Sequence, residues 1–131
     1  MVGAAWKDDD GSAVVEFTFV AILLTVLTLA VLQLGLALHV RNTVIDAAAE
    51  GARVAALADN EPADGVARTR ELITVAVGSD FASDVSADYG TYLGHPSVGI
   101  RVVTRLPLIG LVGLDSALEV SGHAAIETLD E

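Results

Sequence analysis

The sequence predicts an α+β protein: a long N-terminal transmembrane α-helix that runs on into a small domain with a short second helix and an antiparallel β-hairpin or three-stranded sheet. Three observations carry this. A membrane-length apolar run follows Glu16, with no charged side chain until Arg41. Helical periodicity then continues to about Leu57, and the last third alternates apolar and polar residues with the period of a strand. At 131 residues there is room for one membrane helix and one small domain.

Phe17 to Leu38 is a run of 22 residues, about 33 Å as a helix, against a hydrocarbon core of roughly 30 Å. Its interior polar residues are Thr18, Thr25, Thr28 and Gln33. Threonines bond their own helix backbone at little cost, whereas Gln33 is a candidate for an interhelical contact. A secretory signal peptide has a shorter apolar core, about 7–15 residues, ending at a small-residue cleavage site. No Ala-x-Ala follows this run closely, so it reads as an anchor. Glu16 stands out at its head, because a carboxylate in a membrane span costs up to about 3 kcal/mol at the centre and is read as functional by default.

Past Arg41, residues Asn42, Asp46, Glu50 and Arg53 fall on one helix face, and Val40, Val44, Ala48, Gly51 and Ala55 on the opposite one. Glu50 and Arg53 are spaced for an i,i+3 ion pair. The small-residue stripe lets another backbone approach closely, either from a partner or from the helix's own domain. One helix from about Ser12 to Leu57 would be about 69 Å long. Asn60, Glu61 and Pro62 break it, and Asp64 is placed to cap a second helix through about Val77, with Val66, Leu72, Ile73 and Val77 as its stripe and Gly78 as its stop. Asp80–Gly94 reads as loop with a short strand near Asp84–Tyr89.

Val98–Arg105 and Ala117–Ile126 both alternate as strands with one buried face. Paired as a hairpin, they would bring Arg105 near Glu119 and Arg101 near His123, with the register set to within about two residues. The connection Leu106–Leu114 is unusually apolar, and Leu108, Ile109 and Leu111 are its candidate partner contacts; a fold-back onto the helix, lipid contact and burial in the domain are the alternatives.

The net charge of −11 argues against nucleic acid, whose phosphates need Lys and Arg. No cysteine is present, so neither a disulfide framework nor a thiolate metal site exists. His39, His95 and His123 are widely spaced, and no pair has metal-ligand spacing. Ser121 lacks the flanking glycines of a nucleophile elbow, and Gly110–Gly113 lacks the Lys of a phosphate loop. The expectation is a protein that is not an enzyme and takes no metal or other cofactor.

Gly11 followed by Ser12 and, four residues on, Glu16 and Phe17 resembles the processing site of type IV prepilins. The segment Ala48-Ala49-Glu50-Gly51-Ala52-Arg53-Val54-Ala55-Ala56, with Val15-Glu16-Phe17 before the span, resembles the TadE-like family of minor pilins, or pseudopilins, of the tight-adherence (Tad, Flp-type) pilus system. The resemblance covers roughly residues 11–57. It implies a pilin-like organisation: a leader at 1–11, a transmembrane helix at 12–40, its extension outside the membrane at 41–58, and a small extracytoplasmic α+β domain at 59–131. It implies cleavage between Gly11 and Ser12 by a prepilin peptidase, which recognises Glu16 and Phe17. Glu50, Gly51, Ala52 and Arg53 become family-motif positions. Other Tad pilins and the assembly platform become the partners, and pilus assembly for adhesion or secretion the function.

Loss of Met1–Gly11 removes Lys7, Asp8, Asp9 and Asp10, leaving 6 basic and 15 acidic residues and a charge of −9. The resemblance also implies a single pass through the cytoplasmic (inner) membrane with the N-terminus cytoplasmic. Positive-inside counting, with Lys7 before the span and Arg41 and Arg53 after it, weakly favours the reverse, but that rule fades for regions longer than about 60 residues. A single-pass envelope binding protein unconnected with a pilus is the alternative; only a prepilin requires Gly11.

Overall fold

The computed structural model describes residues 2–107 and 117–127 of the chain. Helix α1 spans Val2–Ala56, helix α2 Pro62–Ala76, and a 3-10 turn Ser79–Ala82 leads into strands β1 (Asp84–Tyr92), β2 (His95–Arg105) and β3 (Ala117–Ala125). The strands form one antiparallel sheet in the order β1-β2-β3. The α+β expectation is borne out in its three-stranded form.

The helix begins before Gly11 rather than at Ser12. Once a helix is nucleated each added residue is cheap; Gly3 and Gly11 oppose it most, by about 1 kcal/mol each, and Asp8, Asp9 and Asp10 by less. The chain divides into two units, Met1–Gly35 and Leu36–Glu131. In the first, none of the residues from Asp9 onward is buried. Thr18, Thr25 and Thr28 each donate their hydroxyl to the carbonyl four residues back at 2.8 Å, as expected of threonines in an apolar helix.

The second unit is built on the remainder of α1. Val40, Val44, Ala47, Ala48, Ala52, Ile73, Val85, Ile100, Val102 and Val120 form one buried cluster. The small-residue stripe therefore packs on its own domain. A Cβ on Gly51 would collide with Thr69 and lie 2.7 Å from the Gly65 carbonyl of α2, and one on Gly122 of β3 would lie 2.5 Å from the Ala48 backbone. Backbones thus touch on two sides of α1, and only glycine fits at those points.

Several boundaries differ from expectation for local reasons. Helix α2 starts two residues before Asp64, with Glu61 as its N-cap: Pro62 takes the first helical position, where its missing N–H is no loss, and the Asp64 carboxylate accepts the Glu61 N–H at 2.7 Å. Gly78 ends it as expected, at φ 114, donating its N–H to the Ile73 and Thr74 carbonyls. Strand β1 runs on to Tyr92 and β2 starts at His95, because the two-residue turn Leu93-Gly94, with φ of 51 and 83, closes a hairpin between them. The β2–β3 register is two residues from the expected one. Arg101 faces Ser121, Val103 faces Glu119, Gly99 faces His123 and Arg105 faces Ala117. A shift of two leaves every side chain on its expected face. It lays the His123 ring over Gly99, where there is no side chain to displace it, and turns the Arg105–Glu119 pairing into a diagonal Arg101–Glu119 ion pair of 3.3 Å.

Gly122→Ala is expected to lower the stability of the detergent-solubilised protein by about 1–3 kcal/mol, since the added methyl has no room against α1. Gly90→Ala, whose methyl meets nothing within 4 Å, is the matched control and should change little. Urea unfolding followed by circular dichroism measures both.

Candidate functional site: the head of the anchor helix and its outer motif

The residues singled out in the sequence all lie on α1, in two places. Gly11, Ser12, Glu16 and Phe17 stand in its first part, all exposed. Ser12 and Glu16 are four apart and share a face, one turn from each other. Among the described residues the printed ion pairs are Glu50–Arg53, Arg68–Glu71 and Arg101–Glu119, so nothing described pairs with Glu16. A Cβ on Gly11 meets nothing within 4 Å, in contrast to Gly51 and Gly122. Packing inside this chain gives no reason for glycine at position 11.

The second place is Glu50–Arg53, and the fold divides it. Gly51 and Ala52 are buried, with Gly51 against Gly65 and Thr69 of α2. Glu50 and Arg53 turn outward and form the expected i,i+3 pair at 3.5 Å, with the Arg53 side chain 76% exposed. One half of the motif builds the helix–helix contact and the other is displayed. A shallow depression lies beside it, lined by Thr43, Asp46, Ala49, Glu50, Arg53 and Leu72.

Thr69 escaped the sequence reading. Its buried hydroxyl, donating to the Gly65 carbonyl at 2.8 Å with the Ala47 carbonyl at 3.3 Å, sits in the space Gly51 leaves. The signal that was available is the pair of small residues Gly65 and Thr69, one turn apart on α2 and able to face a glycine. The outer sheet face was also unread. Tyr92 stacks on His123 with ring centroids 4.7 Å apart and planes 7° apart. Asp88, Ser97, Arg101 and Ser121 complete a shallow polar depression of about 190 Å³. It joins no nucleophile to a base, and no group of three or more His, Cys, Asp or Glu among the described residues is placed to hold a metal ion. Leu108, Ile109 and Leu111 lie outside the described residues.

The fold thus defines a class: one helix long and apolar enough to cross a membrane, its outer part buried in a small α+β domain. Residues 11–53 match the model of the family described as TadE-like protein, from Gly11 to Arg53. The chain is TadE-like over that segment, as the sequence resemblance implied, and the match stops short of α2 and the sheet. Neither the curated proteins nor the solved structures contain a match to the chain. The helix has the length and composition of a membrane anchor, and the match relates residues 11–53 to the TadE-like family.

Arg53→Ala is expected to shift domain stability by no more than about 0.5 kcal/mol, because an exposed i,i+3 pair contributes little. Gly51→Ala should cost about 1–3 kcal/mol through overpacking against α2. Unfolding curves of the two variants side by side distinguish the displayed half of the motif from the packed half.

Proposed function

We propose that the chain is a minor pilin or pseudopilin that takes part in assembly of a Tad (Flp-type) pilus. It is made as a precursor and cut between Gly11 and Ser12 by a prepilin peptidase. The observation that carries this reading is Gly11 together with Glu16 five residues on at the head of the family match: like Gly35, Gly11 costs about 1 kcal/mol in a helix relative to alanine and no neighbour within the chain requires it. A requirement imposed from outside, by an enzyme that must approach the backbone there, accounts for it. The TadE-like match takes in Gly11, Glu16 and the 50–53 motif and supports this reading; the class of that enzyme is what the resemblance to prepilins implies.

In this reading the span lies in the cytoplasmic membrane with its N-terminus cytoplasmic and the sheet domain outside. Cleavage gives Ser12 a free ammonium one turn from Glu16. In an assembly the Glu16 carboxylate meets the ammonium of a neighbouring subunit among apolar helices. Such a pair is geometrically exacting, because losing one partner strands a charge in a low-dielectric bundle. It sets the axial register while Phe17–Leu38 buries its exposed side chains against other pilin helices. Glu50 and Arg53, displayed above the span, are available to other pilus components and the assembly platform. The chemistry belongs to the peptidase, with this protein as its substrate.

Intact-mass measurement and N-terminal sequencing of the protein from membranes of its own host should find a chain beginning at Ser12. Gly11→Leu should leave full-length precursor in the membrane. A mature protein that begins at Met1 or Val2 sinks the processing reading. Glu16→Ala is expected to keep membrane retention, since it removes a charge from the helix, while pilus production and subunit cross-linking fall at least tenfold. Unchanged pilus production would refute the register role.

A further inference from the structure

The second unit has two distinguishable ends. At one, β3 continues past Ala125: the Ile126 N–H donates to the Pro96 carbonyl and the Glu127 N–H to the Ala56 carbonyl, so the Tyr92–His95 turn and the C-terminus of α1 share that end. At the other, Leu36, His39, Ala76, Val77, Phe81 and Pro107 line an apolar groove of about 410 Å³. Strand β1 runs between the two ends, and its nine residues separate them by about 27 Å.

The groove starts within the apolar run rather than beyond it. Leu36 forms part of its wall, and Ala37, next along the run, is already buried, as is Val40. Leu36 and Leu38 remain about half exposed at the same level. The last turn of α2 ends beside this groove and carries Val75, 83% exposed, with Ala76 exposed next to it. Apolar side chains of the domain thus stand level with Leu36–Leu38, the end of the apolar run. His39 and Arg41 follow on the helix, the residue types that hold a polar tip at a membrane interface over an apolar body. Asp80, Asp84 and Arg105, which line the depression beside Phe81 and Pro107, leave it one net negative charge, so it offers an anionic headgroup no attraction and apolar area carries any contact here.

We propose that this end of the domain is a membrane-seated foot: the last turn of α2 and the Leu36–Phe81 groove lie in the lipid interface of the bilayer that α1 crosses. The partner is the lipid surface, and the evidence for it is continuity, since the groove wall is the membrane helix. The proposal rests on α1 crossing a bilayer and is independent of processing or pilus assembly. The foot holds the sheet's Tyr92–His95 turn away from the membrane, where another component can reach it.

The chain has no cysteine, so single-cysteine variants of the full-length protein report position without background. Val75→Cys at the foot, Thr91→Cys at the far end and Leu27→Cys in the span, each carrying an environment-sensitive fluorophore, are reconstituted in phosphatidylethanolamine–phosphatidylglycerol vesicles. All three positions are exposed, so the substitutions should fold, and circular dichroism checks this. Lipids bearing a nitroxide at the headgroup or on the upper acyl chain should quench the Val75 label by roughly half and leave the Thr91 label unquenched. Iodide in the aqueous phase should do the opposite. A Val75 label that behaves like the Thr91 label overturns the proposal. A Val75 label shielded from both iodide and nitroxide lipid also overturns it, because protein then covers the foot. If the Leu27 label escapes acyl-chain nitroxide, the membrane anchor itself is wrong and the foot falls with it.

Discussion

Close contact between backbones on two sides of α1 is the constraint from which the rest of the second unit follows. Gly51 meets Gly65 and Thr69 of α2 on one side, and Ala48 meets Gly122 of β3 on the other. Because Ala47, Ala48, Gly51, Ala52 and Ala55 project so little, the helix sits deep between α2 and the sheet, and the larger Val40, Val44, Ile73, Ile100 and Val102 fill the space at its flanks. Small residues contribute little apolar area each. Their contribution is distance, since a dense array of dispersion contacts is lost when a gap of even 1 Å opens.

This makes the outer part of the anchor helix a core element of the domain. The sheet has one covered face, and α1 supplies much of the cover. The chain end after β3 closes the arrangement by donating the Glu127 N–H to the Ala56 carbonyl, while Asn60 satisfies the Val54 carbonyl at 2.8 Å. The last turn of α1 is thereby capped from within the domain rather than by water.

The glycines and carboxylates of the chain separate according to whether the fold explains them. Gly51, Gly65 and Gly122 are required by contact, and Gly78 and Gly94 by positive φ. Gly11, Gly35 and Gly90 are required by neither. Asp64 caps α2, Glu50 and Glu119 each face an arginine, and Glu16 has no described partner. Of the residues this accounting leaves over, Gly11 and Glu16 stand together at the head of the apolar run, within the segment that matches the TadE-like model. The proposed function assigns these two to a demand from another molecule.

The apolar run, the long helix, the Glu50–Arg53 pair, the stop at Gly78 and the alternation of β2 and β3 were legible in the sequence, because each follows from periodicity or from local chemistry within about one turn. The resemblance over roughly residues 11–57, of which the family match takes in 11–53, was legible for the same reason, since its motifs lie on one continuous helix. The β1–β2 hairpin was not. Its turn is Leu93-Gly94, and a leucine at φ 51 lacks the Asn or Asp that normally announces such a turn. The register of β2 on β3, the use of Thr69 as a filler for Gly51, and the choice between a partner and the domain as owner of the small-residue face depend on groups far apart in the chain. Local propensity identifies a face that can accept a close neighbour. Which neighbour comes to it was decided by tertiary packing, through the fit of Gly65 and Gly122 against α1.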